Sequence, residues 1–74
     1  MEKLSQIALQ RSVQVVKVDG QGPLLRRLVA LGLRPGAEIS VVRRAPLGDP
    51  MVVRVQGTTL SIRHSVADGV LVRG

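Results

Sequence analysis

Apolar residues alternate with polar ones along much of this chain, and the alternation breaks at clusters of Gly, Pro and Asp. A period of two is the spacing of a strand with one buried face. The stretch from Ser12 to Val18 is rich in strand-forming residues, but its phase slips. Val13 and Val15 share one face and Val16 and Val18 the other. A bulge, or burial of both faces, would reconcile them. Asp19-Gly20-Gln21-Gly22 reads as a turn. The period then changes. Pro23 suits the first position of a helix, and Leu24, Leu28 and Leu31 follow at spacings of four and three. This stripe is expected to face the core, with Leu25 beside it and Arg26 and Arg27 on the other side. Gly32 ends the helix by taking the left-handed conformation, and Leu33 folds back as the apolar contact of that cap.

Pro35-Gly36 predicts a type II turn, because Gly accepts positive φ at the second central position. Alternation resumes from Ala37 to Arg44. Ala37, Ile39 and Val41 share one face; Glu38, Ser40 and Arg44 share the other, with Val42 among them. Ala45 to Pro50 is a loop, since its two prolines cannot donate ladder hydrogen bonds. Met51 to Gln56 and Thr58 to Ile62 then form a hairpin, turned at Gly57 with Gln56 or Thr58. Arg63 to Asp68 can make one or two helical turns ended by Gly69, and Val70 to Val72 is a last short strand. Before all of these, Leu4-Ser5-Gln6-Ile7 is a lead-in that tucks two apolar residues against the body. The chain is therefore expected to be mainly β, with about five strands, one helix and a short helical turn. In 74 residues this predicts one domain spanning residues 1–74, built as a small closed barrel without open sheet edges.

Composition sharpens this picture in three places. Phe, Trp and Tyr are absent, so the core must be aliphatic. Cysteine is absent as well, which removes disulfides and zinc-thiolate sites and fits a reducing compartment. The formal net charge is +6, which admits nucleic acid or an acidic or membrane-facing surface as partner. The basic residues are scattered, with no run longer than two, as on an ordinary solvated surface. Small single-strand binders stack bases on aromatic rings, and none exist here, so nucleic acid is not expected. The longest apolar run, Leu28 to Leu33, falls far short of the roughly 20 residues of a membrane span. The start also lacks the apolar stretch of a secretory signal. The expected location is cytoplasmic.

Candidate chemistry is sparse. The five acids Glu2, Asp19, Glu38, Asp49 and Asp68 are dispersed, and His64 is the single histidine. No nucleophile, base and orienting group stand at a recognisable spacing, so the chain is not expected to be an enzyme. Gly20-Gln21-Gly22 lacks the Gly-Lys-Ser/Thr ending of a phosphate loop. His64 and Asp68, four apart, could both reach a divalent metal from one helical face. Two ligands do not complete a site, so a weak dimer would have to supply the others, and no cofactor is required. Two surfaces suit a protein partner. One is the stiff loop segment Leu47, Gly48, Asp49 and Pro50, where Leu47 stands at the tip. Asp49 there offers a carboxylate to the loop's own backbone or to a partner. The other is the flank of the helix carrying Leu25, Arg26 and Val29, an apolar patch beside a basic rim that suits an acidic partner.

Three blocks of this chain, in order, resemble one known family. Leu28-Val29-Ala30-Leu31-Gly32-Leu33-Arg34-Pro35-Gly36 is similar to the L-x-x-L-G-(L/M)-x-P-G signature of ferrous iron transport protein A, FeoA. Ala45-Pro46-Leu47-Gly48-Asp49-Pro50 resembles that family's A-P-L-G-D-P loop. Leu60-Ser61-Ile62-Arg63, with Ala67, Val70 and Val72, resembles its closing pattern. The resemblance spans residues 4–73, although the Gly that family members often carry near Gln10-Arg11 is missing. It implies an SH3-like barrel and a small cytosolic, non-catalytic regulator of bacterial ferrous iron uptake. It further implies that the chain binds the membrane transporter FeoB from the cytosolic side and so associates with the inner face of the membrane. Two other readings compete. SH3-like domains also terminate some iron-dependent repressors, but a chain beginning at Met1 has no room for a helix-turn-helix reader. A small basic nucleic-acid-binding barrel is the other.

Overall fold

The computed structural model describes residues 1–74. Six strands form one sheet: β1 (Glu2–Lys3), β2 (Ser12–Val18), β3 (Glu38–Arg44), β4 (Met51–Val55), β5 (Thr58–Ile62) and β6 (Val70–Arg73). Helix α1 (Pro23–Ala30) joins β2 to β3, the one-turn helix α2 (His64–Ala67) joins β5 to β6, and a 3₁₀ turn at Leu4–Gln6 follows β1. The strand order is β1-β6-β2-β3-β4-β5, antiparallel throughout. The mainly β architecture with one longer helix and a short helical turn agrees with the sequence pattern. The closure expected of the barrel is corrected: no ladder joins β1 to β5. The two-residue β1 turns at once into the 3₁₀ segment, and β5 runs into α2, so neither end reaches the other.

The interior holds 17 buried apolar residues, all aliphatic. Both apolar residues of the lead-in, Leu4 and Ile7, are fully buried. The slipped phase of β2 is resolved by a bulge. Register shifts between Val15 and Lys17, leaving Val16 as the extra residue and turning Val18 back towards the core opposite Val70. A second bulge, between Val41 and Arg43, has a larger consequence. It inverts the alternation, so Arg44 comes opposite the buried Met51 on the inner side rather than sharing the outer face with Glu38 and Ser40. There its guanidinium donates to the carbonyls of Ser5 (3.0 Å) and Ile7 (2.8 Å), pinning the lead-in to the sheet.

Turn chemistry follows the sequence closely. The Gly32 N–H donates to the Val29 carbonyl and the Leu33 N–H to the Leu28 carbonyl, each at 3.0 Å. With Gly32 at φ 118, this is a Schellman cap, and its apolar pair, Leu28 and Leu33, enters the core. Gln56 and Gly57, at φ 51 and 77, are the two central residues of the β4–β5 hairpin. Gly36 lies at φ 91 in a turn closed by the Ala37 N–H on the Arg34 carbonyl.

The apolar stripe of α1 does not behave as its spacing suggests. Leu28 alone is buried; Leu24 is 60% exposed and Leu31 42%. The strands and lead-in already fill the interior, and α1 is seated through Leu28 and the following Leu33. Leu24 and Leu31 are left on the surface, and Leu25 is half-buried.

Candidate docking surface

Two connected regions collect the side chains singled out from the sequence. The first is the Ala45–Pro50 loop. The Gly48 N–H closes a turn on the Ala45 carbonyl at 2.7 Å, and the Ala45 N–H donates to the Pro50 carbonyl at 3.1 Å. Gly48 takes φ 87, a conformation a side chain would resist. This tight turn holds Leu47 outward, 96% exposed at the tip. Asp49 does not bond to its own loop. Its Oδ1 accepts the backbone N–H of His64 at 2.9 Å, which fastens the loop to the start of α2. Pro50 and Asp49, with Ser61, Ile62 and Arg63, line a shallow hollow beside that junction.

Helix α2 carries His64 and Asp68 on one side, as their spacing of four predicts. Here they serve each other: Nδ1 of His64 lies 3.4 Å from Oδ2 of Asp68. The other Asp68 oxygen accepts the Ser5 hydroxyl at 2.5 Å. That hydrogen bond holds the Asp68 carboxyl below the usual aspartate range. Partial desolvation opposes the shift, and the nearby His64 and Lys3 assist it. No third His, Cys, Asp or Glu joins the two. The pair is thus built as a clasp between α2 and the lead-in, with both carboxylate oxygens engaged. Ser5 and Arg44 are the partners that sequence reasoning missed. Neither belongs to a motif, and a hydroxyl 63 residues from its acceptor leaves no local signal.

The second region is the surface of α1. Leu24, Leu25 and Leu28 line a groove of about 210 Å³ against Ser65 and Val66 of the α2 segment. On the adjoining side of Leu25, that residue with Val29 and Ala30 lines a wider groove of about 570 Å³ with Arg26, Arg34 and the Gly20-Gln21-Gly22 turn. The structure therefore brings Leu25, Arg26 and Val29 together on one shallow surface. It keeps the Leu47 tip apart from them, with α2 touching both regions. Neither Arg26 nor Arg34 takes part in an ion pair; the three pairs present are Arg11–Glu2, Lys17–Asp19 and His64–Asp68. No helix is long and apolar enough to cross a membrane. The α1 surface thus combines partly exposed apolar side chains with two exposed arginines that make no ion pair.

The sequence and the fold both have counterparts among known proteins. Residues 2–74 match the family model described as the FeoA domain. The chain is 32% identical over 65 residues to a protein of Porphyromonas gingivalis named Fe(2+) transport protein A/Fe(2+) transporter FeoB fusion protein. That match takes in 88% of this chain but only 8% of the much longer fusion protein. Among solved structures, the FeoA protein of Chlorobium tepidum superposes with a TM-score of 0.91 at 39% identity, over 97% of this chain and 69% of that one. The zinc-complexed FeoA of Stenotrophomonas maltophilia, described as a prokaryotic SH3 domain protein, does so with a TM-score of 0.83 at 32% identity. It covers 99% and 91% of the two chains. With its ordered motifs, its SH3-like sheet and a family match over nearly its whole length, this chain belongs to the FeoA family.

Proposed function

We propose that this chain is an accessory domain of ferrous iron transport that acts by binding the cytosolic part of FeoB. On this reading it works in the cytoplasm at the inner face of the membrane, by contact rather than catalysis, and needs no cofactor. The observation that carries the reading is the fused relative, in which a segment like this chain shares one polypeptide with FeoB. Linking two modules turns their encounter into an intramolecular one at roughly millimolar effective concentration. Such a linkage is useful where the two modules work in contact. Unlinked, the same contact needs a surface able to hold on its own. Exposed Leu24 and the half-buried Leu25 and Val29 beside it, on a chain of charge +6, supply the material for it.

The test is a calorimetric titration of this protein into the separately produced cytosolic domain of FeoB from the same genome, with and without a non-hydrolysable GTP analogue. Saturable binding with one-to-one stoichiometry is the expected result. No heat and no co-elution in either nucleotide state would sink the reading.

A further inference from the structure

We infer that the α1 flank lined by Leu25, Val29, Arg26 and Arg34 receives an acidic, amphipathic segment of the partner protein. The inference rests on the proposed FeoB contact and adds the face and the chemistry of that contact.

The groove is shallow and has two kinds of lining. Its floor is apolar, made by Leu25, Val29 and Ala30, and its rim carries the guanidiniums of Arg26 and Arg34. Its volume, about 570 Å³, lies within the roughly 300–1,000 Å³ of clefts that take up a ligand. No carboxylate lines it, and neither arginine is neutralised by a neighbour. A segment with apolar residues on one side and Asp or Glu on its flanks would cover the floor and meet both guanidiniums. The planar fork of Arg suits a carboxylate, which it can bind through two parallel hydrogen bonds. A basic segment would be repelled, so the rim selects partners by charge.

Two alternatives fit less well. A flat anionic bilayer would satisfy the arginines but would set polar headgroups, not apolar side chains, against the half-buried Leu25 and Val29. The loop tip offers only the isolated Leu47, because the Asp49 carboxylate is already held by the His64 amide.

The experiment compares the wild type with Arg26→Glu/Arg34→Glu and with Leu47→Ser, each titrated into the FeoB cytosolic domain at low and high salt. Both arginines are exposed, so the reversed pair should melt like the wild type. The neutral pair Arg26→Gln/Arg34→Gln serves should the reversal disturb the helix. Reversal is expected to weaken binding about tenfold or more at low salt and to flatten its salt dependence, as rim charges do. Leu47→Ser probes the loop tip as the rival site: a smaller loss than the arginine reversal is expected, and a larger one would move the contact to the loop and overturn the inference. Saturable wild-type binding with an unaffected arginine pair would overturn the inference and leave the accessory reading standing. Absence of wild-type binding would overturn both. A parallel flotation assay uses vesicles of phosphatidylcholine and phosphatidylglycerol in a 3:1 ratio. If reversal abolishes vesicle binding while the FeoB domain still binds normally, the flank is a lipid surface and the inference falls.

Discussion

Asp68 shows how much one side chain can organise. Its two oxygens hold Ser5 of the lead-in and His64 of its own helix, while Asp49 caps the same helix from the loop. The Ser5 hydroxyl is the main reason its carboxyl titrates below the usual range. A carboxyl with a folded-state pKa below its unfolded value stabilises the fold wherever it is ionised. That contribution is complete above the ordinary aspartate value of about 4 and is lost as pH falls through the lowered value. Ser5→Ala should therefore raise the Asp68 carboxyl towards the ordinary range and start acid unfolding at a higher pH. Carbon-detected NMR titration of Asp68 reads the first effect directly. An unmoved carboxyl would mean that the hydroxyl is not its cause. Gly69 acts by its smallness. A Cβ there would come within 3.0 Å of the Asp19 carbonyl, just where the Asp19 N–H donates to the Gly69 carbonyl at 2.7 Å.

At the scale of elements, α1 divides its leucines between structure and surface. Leu28 joins the core and, with Leu33, closes the Schellman cap, whereas Leu24 is open to solvent. Leu28→Ala should cost about 2–5 kcal/mol, the range for a buried leucine. Leu24→Ala should stay within about 0.5 kcal/mol, as surface changes do. Urea midpoints of the two variants check this, and equal losses would show that the helix packs through both. Bulges are the second device at this scale. One keeps Val18 in the core; the other turns Arg44 inward to hold the lead-in by two carbonyls.

For the molecule as a whole, the decisive strand is the last. β6 lies between β1 and β2, and its Val70 and Val72 are fully buried. The first strand is therefore held in the sheet only through the last. A chain of this size buries roughly 60% of its unfolded surface, which leaves little stability in reserve. Removing Val70–Gly74 should abolish the cooperative fold rather than trim it. Circular dichroism melting of the truncated chain would show this, and a retained sharp transition would refute it. The same pairing of distant segments predicts folding in milliseconds to seconds rather than microseconds.

Much of this protein was legible in its sequence because local chemistry decides it. Period-two runs marked β2 to β6, and Pro23 and Gly32 bounded α1. The Gly36 and Gly57 turns follow from the left-handed conformations that those residues permit. That Leu25, Arg26 and Val29 are neighbours on one helix flank was legible too. What the sequence could not contain were consequences of contacts distant along the chain. Gln10 sits at φ 67, and its N–H bonds to the Val41 carbonyl at 2.8 Å, which ties the lead-in to the sheet. The inversion of Arg44, the Ser5–Asp68 clasp and the exposure of Leu24 and Leu31 likewise came only with tertiary structure. An apolar stripe states that a helix has a face to bury, but the space available to bury it depends on how many other segments already fill the core. In this small aliphatic interior the strands and lead-in took that space, and the leucines left over became surface.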